Sequence, residues 1–424
     1  MNTPVVSAPE RRRAAEGAGE TRRGVLALLF AATAIGSTGL AAGGASGALL
    51  GADLAGTDAA SGLPLGLLIL GSAAGALVVT RQASRGRRGL GLALGYAFGV
   101  GGAVLVIASA GWRSLPLFLV GSTVLGAANS AIFLTRYAAA DSVPAASRGR
   151  ALGTVFAATA VGAVLSPLLI GPSGALAGAF GQPRLSGLYL VAAATFGLSA
   201  LLFLLASSSR GPGAGRVASV LNRTPANTAG GRHVLVAALR DPRARVAVVG
   251  LTTANFIMAG IMAIAPVHIM SAGFDLEVVG GVIALHVGGM FGPSPISGWL
   301  ADRFGPTLVM LLGGVLLITA SVAGIWMDHG LLAMAACLAA LGVGWNFGIV
   351  GSSTLLTYAV PDPHRPYVEG IGEISMGLAA VVAAPVAGLV AAVVGYLAFS
   401  LVCLTLGTFA LFLTFTGQDT RSLG

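Results

Sequence analysis

GWLADRFGPTLVMLLGGVLLITASVAGIW, residues 298–326, places two kinds of chain side by side. Its first eight positions hold an adjacent acid and base, Asp302 and Arg303, between Gly298 and Gly305. The stretch that follows, 306–326, carries no charge. At 1.5 Å per residue a helix of that length covers about 30 Å, the thickness of a bilayer's hydrocarbon core. A surface helix of a soluble protein would set a polar face against its apolar one. No such face exists here, so lipid is the solvent.

The pattern repeats outward in both directions. Apolar runs long enough to cross a bilayer fall at 24–50, 62–80, 89–110, 115–138, 149–171 and 185–207, then at 244–270, 277–301, 306–326, 330–358, 367–395 and 397–416. Only 9% of the 424 residues are charged, against roughly 25% in soluble domains, too few to coat a water-facing surface. The 64 glycines point the same way, since small residues let membrane helices approach closely. All 24 basic residues are arginine, and Cys337 and Cys403 lie inside apolar runs, where no disulfide framework is expected. Arg11, Arg12, Arg13, Arg22 and Arg23 imitate the start of a signal peptide, but the apolar run after them is too long. A cytoplasmic tail leading into the first span is expected instead.

The interval 208–243, with SSSRGPGAGR and NRTPANTAGG, has linker composition and divides the spans six and six. The expected organisation is a tail over 1–23, a six-helix bundle over 24–207, the linker over 208–243, a second bundle over 244–416, and a tail over 417–424. With both termini inside, every arginine except Arg113 and Arg184 is cytoplasmic, while Asp53, Asp58, Asp275, Glu277 and Asp328 face out. The net charge of +9 therefore reports topology and calls for no nucleic acid. The halves echo each other: Thr135, Arg136 and Tyr137 lead to Asp141 as Thr357 and Tyr358 lead to Asp362, Pro167 matches Pro385, and Trp112 matches Trp326. Two pseudo-symmetric bundles of this kind place a binding site between them, near the membrane midplane.

The octet Gly298 to Gly305 resembles the G-x-L-A-D-R-x-G loop motif of the major facilitator superfamily, at the place where a second half carries it. Gly298 and Gly305 permit a tight turn. Asp302 can accept hydrogen bonds from a neighbouring helix N-terminus or pair with an arginine. The resemblance implies a latch between the halves of the outward-facing state, pairing Asp302 with Arg148 or Arg150; a topogenic loop with a capping aspartate is the plainer reading. The first-half copy is degenerate, with Ala83 and Ser84 in place of the Asp-Arg pair. There Arg87 and Arg88 either anchor the loop inside or reach the region of spans ten and eleven. Gly126, Ala127, Ala128 and Asn129 resemble the end of the span-four motif of drug–proton antiporters, with Ser122 where an arginine is expected. Residues 162–167 are a partial span-five motif, with Ser166 for its second glycine.

Ionisable groups inside spans are costly and mark function. Glu369 and Glu373 lie one helical turn apart at the start of span eleven. Glu373 is the stronger candidate for proton coupling, since a carboxyl at membrane depth can gain and lose a proton as its surroundings change. Both acids also suit the positive end of a helix dipole. His286, mid-span, is either a coupling group or a neutral histidine bonded between helices. Arg136 is a snorkelling anchor, an anion-binding residue or the partner of Glu373. The resemblance implies that spans one, four, seven and ten line the cavity, which nominates Ser37, Thr38, Asn129, Asn255, Trp345 and Asn346; helix packing explains them equally.

No phosphate-binding loop, nucleophile–base pair or metal-ligand spacing is present in the sequence, so neither an enzyme nor a cofactor is expected. The expectation is a monomeric secondary transporter in a bacterial plasma membrane. It would export a small amphipathic organic molecule against protons by alternating access. Uptake of a nutrient is the alternative; a receptor, a membrane-embedded enzyme or a permease driven by a separate ATPase are more distant ones.

Overall fold

The computed structural model describes residues 8–57, 63–209, 214–222, 240–274, 276–325, 330–360 and 364–419. Asp58, Asp275, Trp326, Asp328 and Asp362 lie outside that set, as do the side chains of Pro167 and Glu277. The described residues form fifteen α-helices, two single 3-10 turns and no strand. In the first half these are α1 (Ala8–Ala55), α2 (Leu63–Ser84), α3 (Arg88–Trp112), α4 (Leu115–Asp141), α5 (Arg148–Ala157), α6 (Thr159–Ala179) and α7 (Gly187–Ser208). A short linker helix follows, α8 (Ala214–Leu221). The second half holds α9 (Pro242–Ser271), α10 (Leu276–Phe291), α11 (Ser294–Phe304), α12 (Pro306–Ile325), α13 (Leu331–Ala359), α14 (Arg365–Val393) and α15 (Tyr396–Asp419).

Eleven stretches among the described residues are long and apolar enough to cross a membrane. The twelfth expected span, 277–301, is divided between α10 and α11 by Gly292 and Pro293. Proline has no N–H to donate and its ring displaces the carbonyl a turn earlier, so the ladder stops there and restarts. Span five is divided too, at Ala158, whose N–H turns to the Val155 carbonyl at 3.1 Å. No glycine or proline marks that point. The cause is packing: α5 lies against α11, whereas α6 lies against α1. The first helix also begins earlier than expected, at Ala8, because the arginine-bearing segment is rich in good helix formers.

The halves repeat one packing scheme. α3 lies between α4 and α7, as its counterpart α12 lies between α13 and α15. Part of the expected linker belongs to the first bundle, for α8 docks on α1, α3 and α7 through buried Ala218 and Leu221. Large exposed apolar side chains such as Leu168, Leu389 and Phe412 form the outer surface, as a lipid solvent allows.

Candidate functional site

The hydrogen bonds joining the two halves cluster at the arginine-rich end, where α2, α4, α11 and α13 finish and α3, α5, α12 and α14 begin. Closest there are α5 and α11. A Cβ at Gly149 would stand 2.5 Å from the Gly298 carbonyl oxygen, so both positions require glycine. This approach delivers Asp302 to the first turn of α5. Its carboxylate accepts from the backbone N–H of Gly149 (2.7 Å) and Arg150 (2.9 Å), and from Arg150 Nε (3.1 Å). A buried anion on a helix N-terminus is electrostatically matched. Arg148 instead donates to the Thr357 carbonyl (3.0 Å) and lies over the Tyr358 ring, and the Tyr358 hydroxyl donates to the Ala145 carbonyl. Gly305, at φ +92°, supplies the turn into α12, while Arg303 is exposed.

Two ion-pair groups stand beside this contact. Arg88, opening α3, bridges Asp141 at the end of α4 and Glu369 on α14, both at 3.0 Å. Arg365 holds the other Asp141 oxygen at 3.1 Å. Arg88 thus reaches span eleven across the halves, the second of the two sequence readings. Deeper in, Arg136 on α4 pairs with Glu373 on α14. Arg136 is 1% exposed, so it does not snorkel to water. It also donates to Ser353 Oγ (3.2 Å) and the Phe133 carbonyl (2.8 Å), and Tyr137 donates to the same Ser353. A buried charge is tolerated when its remaining valences are met, as the other donors of Arg136 are, whereas Glu369 Oε1 is buried with no partner among the described residues.

The Arg136 guanidinium lies 5.5 Å from the centroid of the Phe156 ring, and this contact leads into an aromatic cluster. Phe156 precedes the break in span five and Phe291 ends α10 at the break in span eight. Their rings meet edge to face at 5.4 Å, and both lie against Trp345, at 5.7 and 5.8 Å. The two breaks thus bring one aromatic ring from each half against Trp345. The sequence reading omitted both phenylalanines, although Gly292-Pro293 was a signal for the second. Trp345 donates from Nε1 to Asn255 Oδ1 (3.0 Å), and Asn255 donates onward to the Met376 carbonyl (2.7 Å).

Other nominated residues are placed elsewhere. Asn346 is fully buried and sutures the span-eight break, donating to the Met290 carbonyl and Ser294 Oγ and accepting from Ser297. Asn129 donates to Ser72 within the first bundle (2.9 Å). Ser37 and Thr38 donate to the Ala34 carbonyl. His286 sits 1% exposed with Nδ1 3.0 Å from the Leu338 carbonyl, which fixes the proton on that nitrogen.

Comparisons agree with this architecture. The family model for the Major Facilitator Superfamily matches residues 25–345 and 294–422. The uncharacterized MFS-type transporter YdeG of Bacillus subtilis is 32% identical over 87% of this chain and 85% of its own. The riboflavin transporter RfnT of Brucella anthropi is 30% identical over 76% of this chain and 77% of its own. Among solved structures, the E. coli fucose:proton symporter FucP superposes with a TM-score of 0.67 at 15% identity, over 94% of this chain and 98% of that one. The human organic anion transporter MFSD10 gives 0.67 at 15%, over 93% and 99%. The family model and these relatives together show that the chain belongs to the Major Facilitator Superfamily of membrane transporters.

Proposed function

We propose that the protein exports a small, flat, amphipathic organic molecule in exchange for protons, with the arginine-rich end and both termini in the cytoplasm of a bacterial cell. The observation that carries the coupling is the Arg136–Glu373 pair, buried between the halves and in contact with the aromatic cluster. With its arginine-rich end inside, the described conformation is closed toward the cytoplasm. Protonation of Glu373 removes the charge that holds Arg136 to α14, and the halves then part at that end. Ionisation again on the inner side restores the pair and closes it. Trp345, Phe156 and Phe291 offer flat apolar faces with one polar handle, the geometry that retains a ring system. The riboflavin transporter relative supports a heteroaromatic solute of this kind.

The test is flux in proteoliposomes under an imposed pH gradient, with a panel of flavins, dyes and aromatic antibiotics. The expected result is gradient-driven movement that Glu373→Gln abolishes while solute binding persists. Transport that ignores both the gradient and the substitution refutes the coupling. Accumulation inside inward-facing vesicles, or out of them, decides between export and uptake.

A further inference from the structure

A cavity lies within the second bundle, beside the interface between the halves. It has a volume of about 880 Å³, within the range of ligand pockets, and opens at the arginine-rich end of the second bundle. Its walls come from α9 (Arg243, Val246), α12 (Leu311), α13 (Leu355, Tyr358) and α15 (Thr414). Beyond it the same four helices enclose a narrower cavity of about 30 Å³. One turn along each helix the lining changes to Gly250, Gly314, Ser352 and Ala410, and Thr414 lines both spaces. The shape is a wide mouth over a slot leading toward the membrane interior.

Chemistry grades along the same axis. At the mouth the Arg243 guanidinium makes no described hydrogen bond, and the acid beside it, Asp241, accepts from the backbone N–H of Arg243 at 2.7 Å. Arg245, two residues on, and Arg303, next to Phe304 of the cavity wall, are exposed. In the slot, Ser352 is fully buried and its Oγ lacks a partner. Along α12, Leu308, Leu312 and Val315 are exposed, which makes that flank a lipid-facing wall.

We propose that this crevice binds one anionic phospholipid, with its phosphate on Arg243, an ester carbonyl accepting from Ser352 at the slot and its acyl chains along the exposed apolar flank of α12. A free phosphate would use only the mouth; the slot and the apolar flank single out the lipid. Anionic headgroups are concentrated where arginine-rich ends reside. The site also touches the latch, because Tyr358 walls the cavity while its hydroxyl donates to Ala145 of the first half at 2.5 Å. A lipid behind that ring favours the closed arginine-rich end.

The test is native mass spectrometry of the full-length protein in detergent, loaded with phosphatidylglycerol or phosphatidylcholine, with and without excess inorganic phosphate. The expected result is one retained phosphatidylglycerol, resistant to phosphate. Retention should fall about tenfold in Arg243→Gln and in Ala410→Phe, which fills the slot, but not in Arg184→Gln at the opposite end. Ser352→Ala, a smaller change, guards against misfolding and should weaken retention too. Equal retention of both lipids, equal retention in all variants, displacement by phosphate alone, or no retained lipid in the wild type overturns the proposal.

Discussion

Removing the Asp302 carboxylate should open the arginine-rich end, and the geometry sets the size of the effect. In the closed state this group, 3% exposed, accepts two backbone N–H bonds from the start of α5. A hydrogen bond to a charged group contributes about 1.5–3 kcal/mol net. The lower figure applies, since both partners regain water when the halves separate, giving about 3 kcal/mol for the two. The Arg150 side chain is 57% exposed, so its ion pair adds under about 0.5 kcal/mol. Asp302→Ala should therefore shift the closed-to-open ratio by about 150-fold. Asp302→Asn keeps one acceptor without the charge and should shift it about tenfold. Electron–electron distance measurements between spin labels on Arg85→Cys and Leu308→Cys read this directly, one position exposed in each half. Both native cysteines are buried and react slowly. An Arg88→Gln background keeps the closed state from saturating the signal. The long-distance population should rise from wild type to Asn to Ala. A distribution for the folded Ala variant that overlays the wild type would refute the latch.

The converse substitution, Gly149→Leu, cannot close: its Cβ alone would stand 2.8 Å from Asp302 Oδ1 and 2.5 Å from the Gly298 carbonyl. It should hold the same labels at long distance and abolish flux, while retention of a short distance would contradict the close approach. Asn346→Leu removes three buried hydrogen bonds across the span-eight break. At about 0.6 kcal/mol for each interhelical bond in a membrane it should cost about 2 kcal/mol, read as a lower unfolding midpoint in detergent. An unchanged midpoint would mean that Asn346 faces the solute and not the break.

What the sequence disclosed follows the cost of error in lipid. Span positions and the expected side of each arginine are legible because a misplaced charge in hydrocarbon costs kilocalories, so selection writes them in plain composition. The pairing of Asp302 with Arg148 or Arg150 came from the family resemblance, and the structure supplies Arg150; the need of Glu373 for a partner was legible from cost, and Arg136 meets it. Arg88 was harder: the degenerate loop before it lacks the Asp-Arg pair, and nothing local says that its two acids stand on α4 and α14. Phe156 and Phe291 were illegible as a pair, because an aromatic residue among apolar ones is cheap anywhere in a membrane helix. Their meeting depends on where spans five and eight break. Gly292-Pro293 marks one break chemically; Ala158 marks the other only through the divergent neighbours of α5 and α6. The polar half of the candidate site is thus dictated by electrostatics that a single sequence exposes. Its apolar half is dictated by packing between repeats, and substitutions that barely alter composition, such as Phe156 exchanged for leucine, would reshape the aromatic cluster while preserving every signal from which the fold was read.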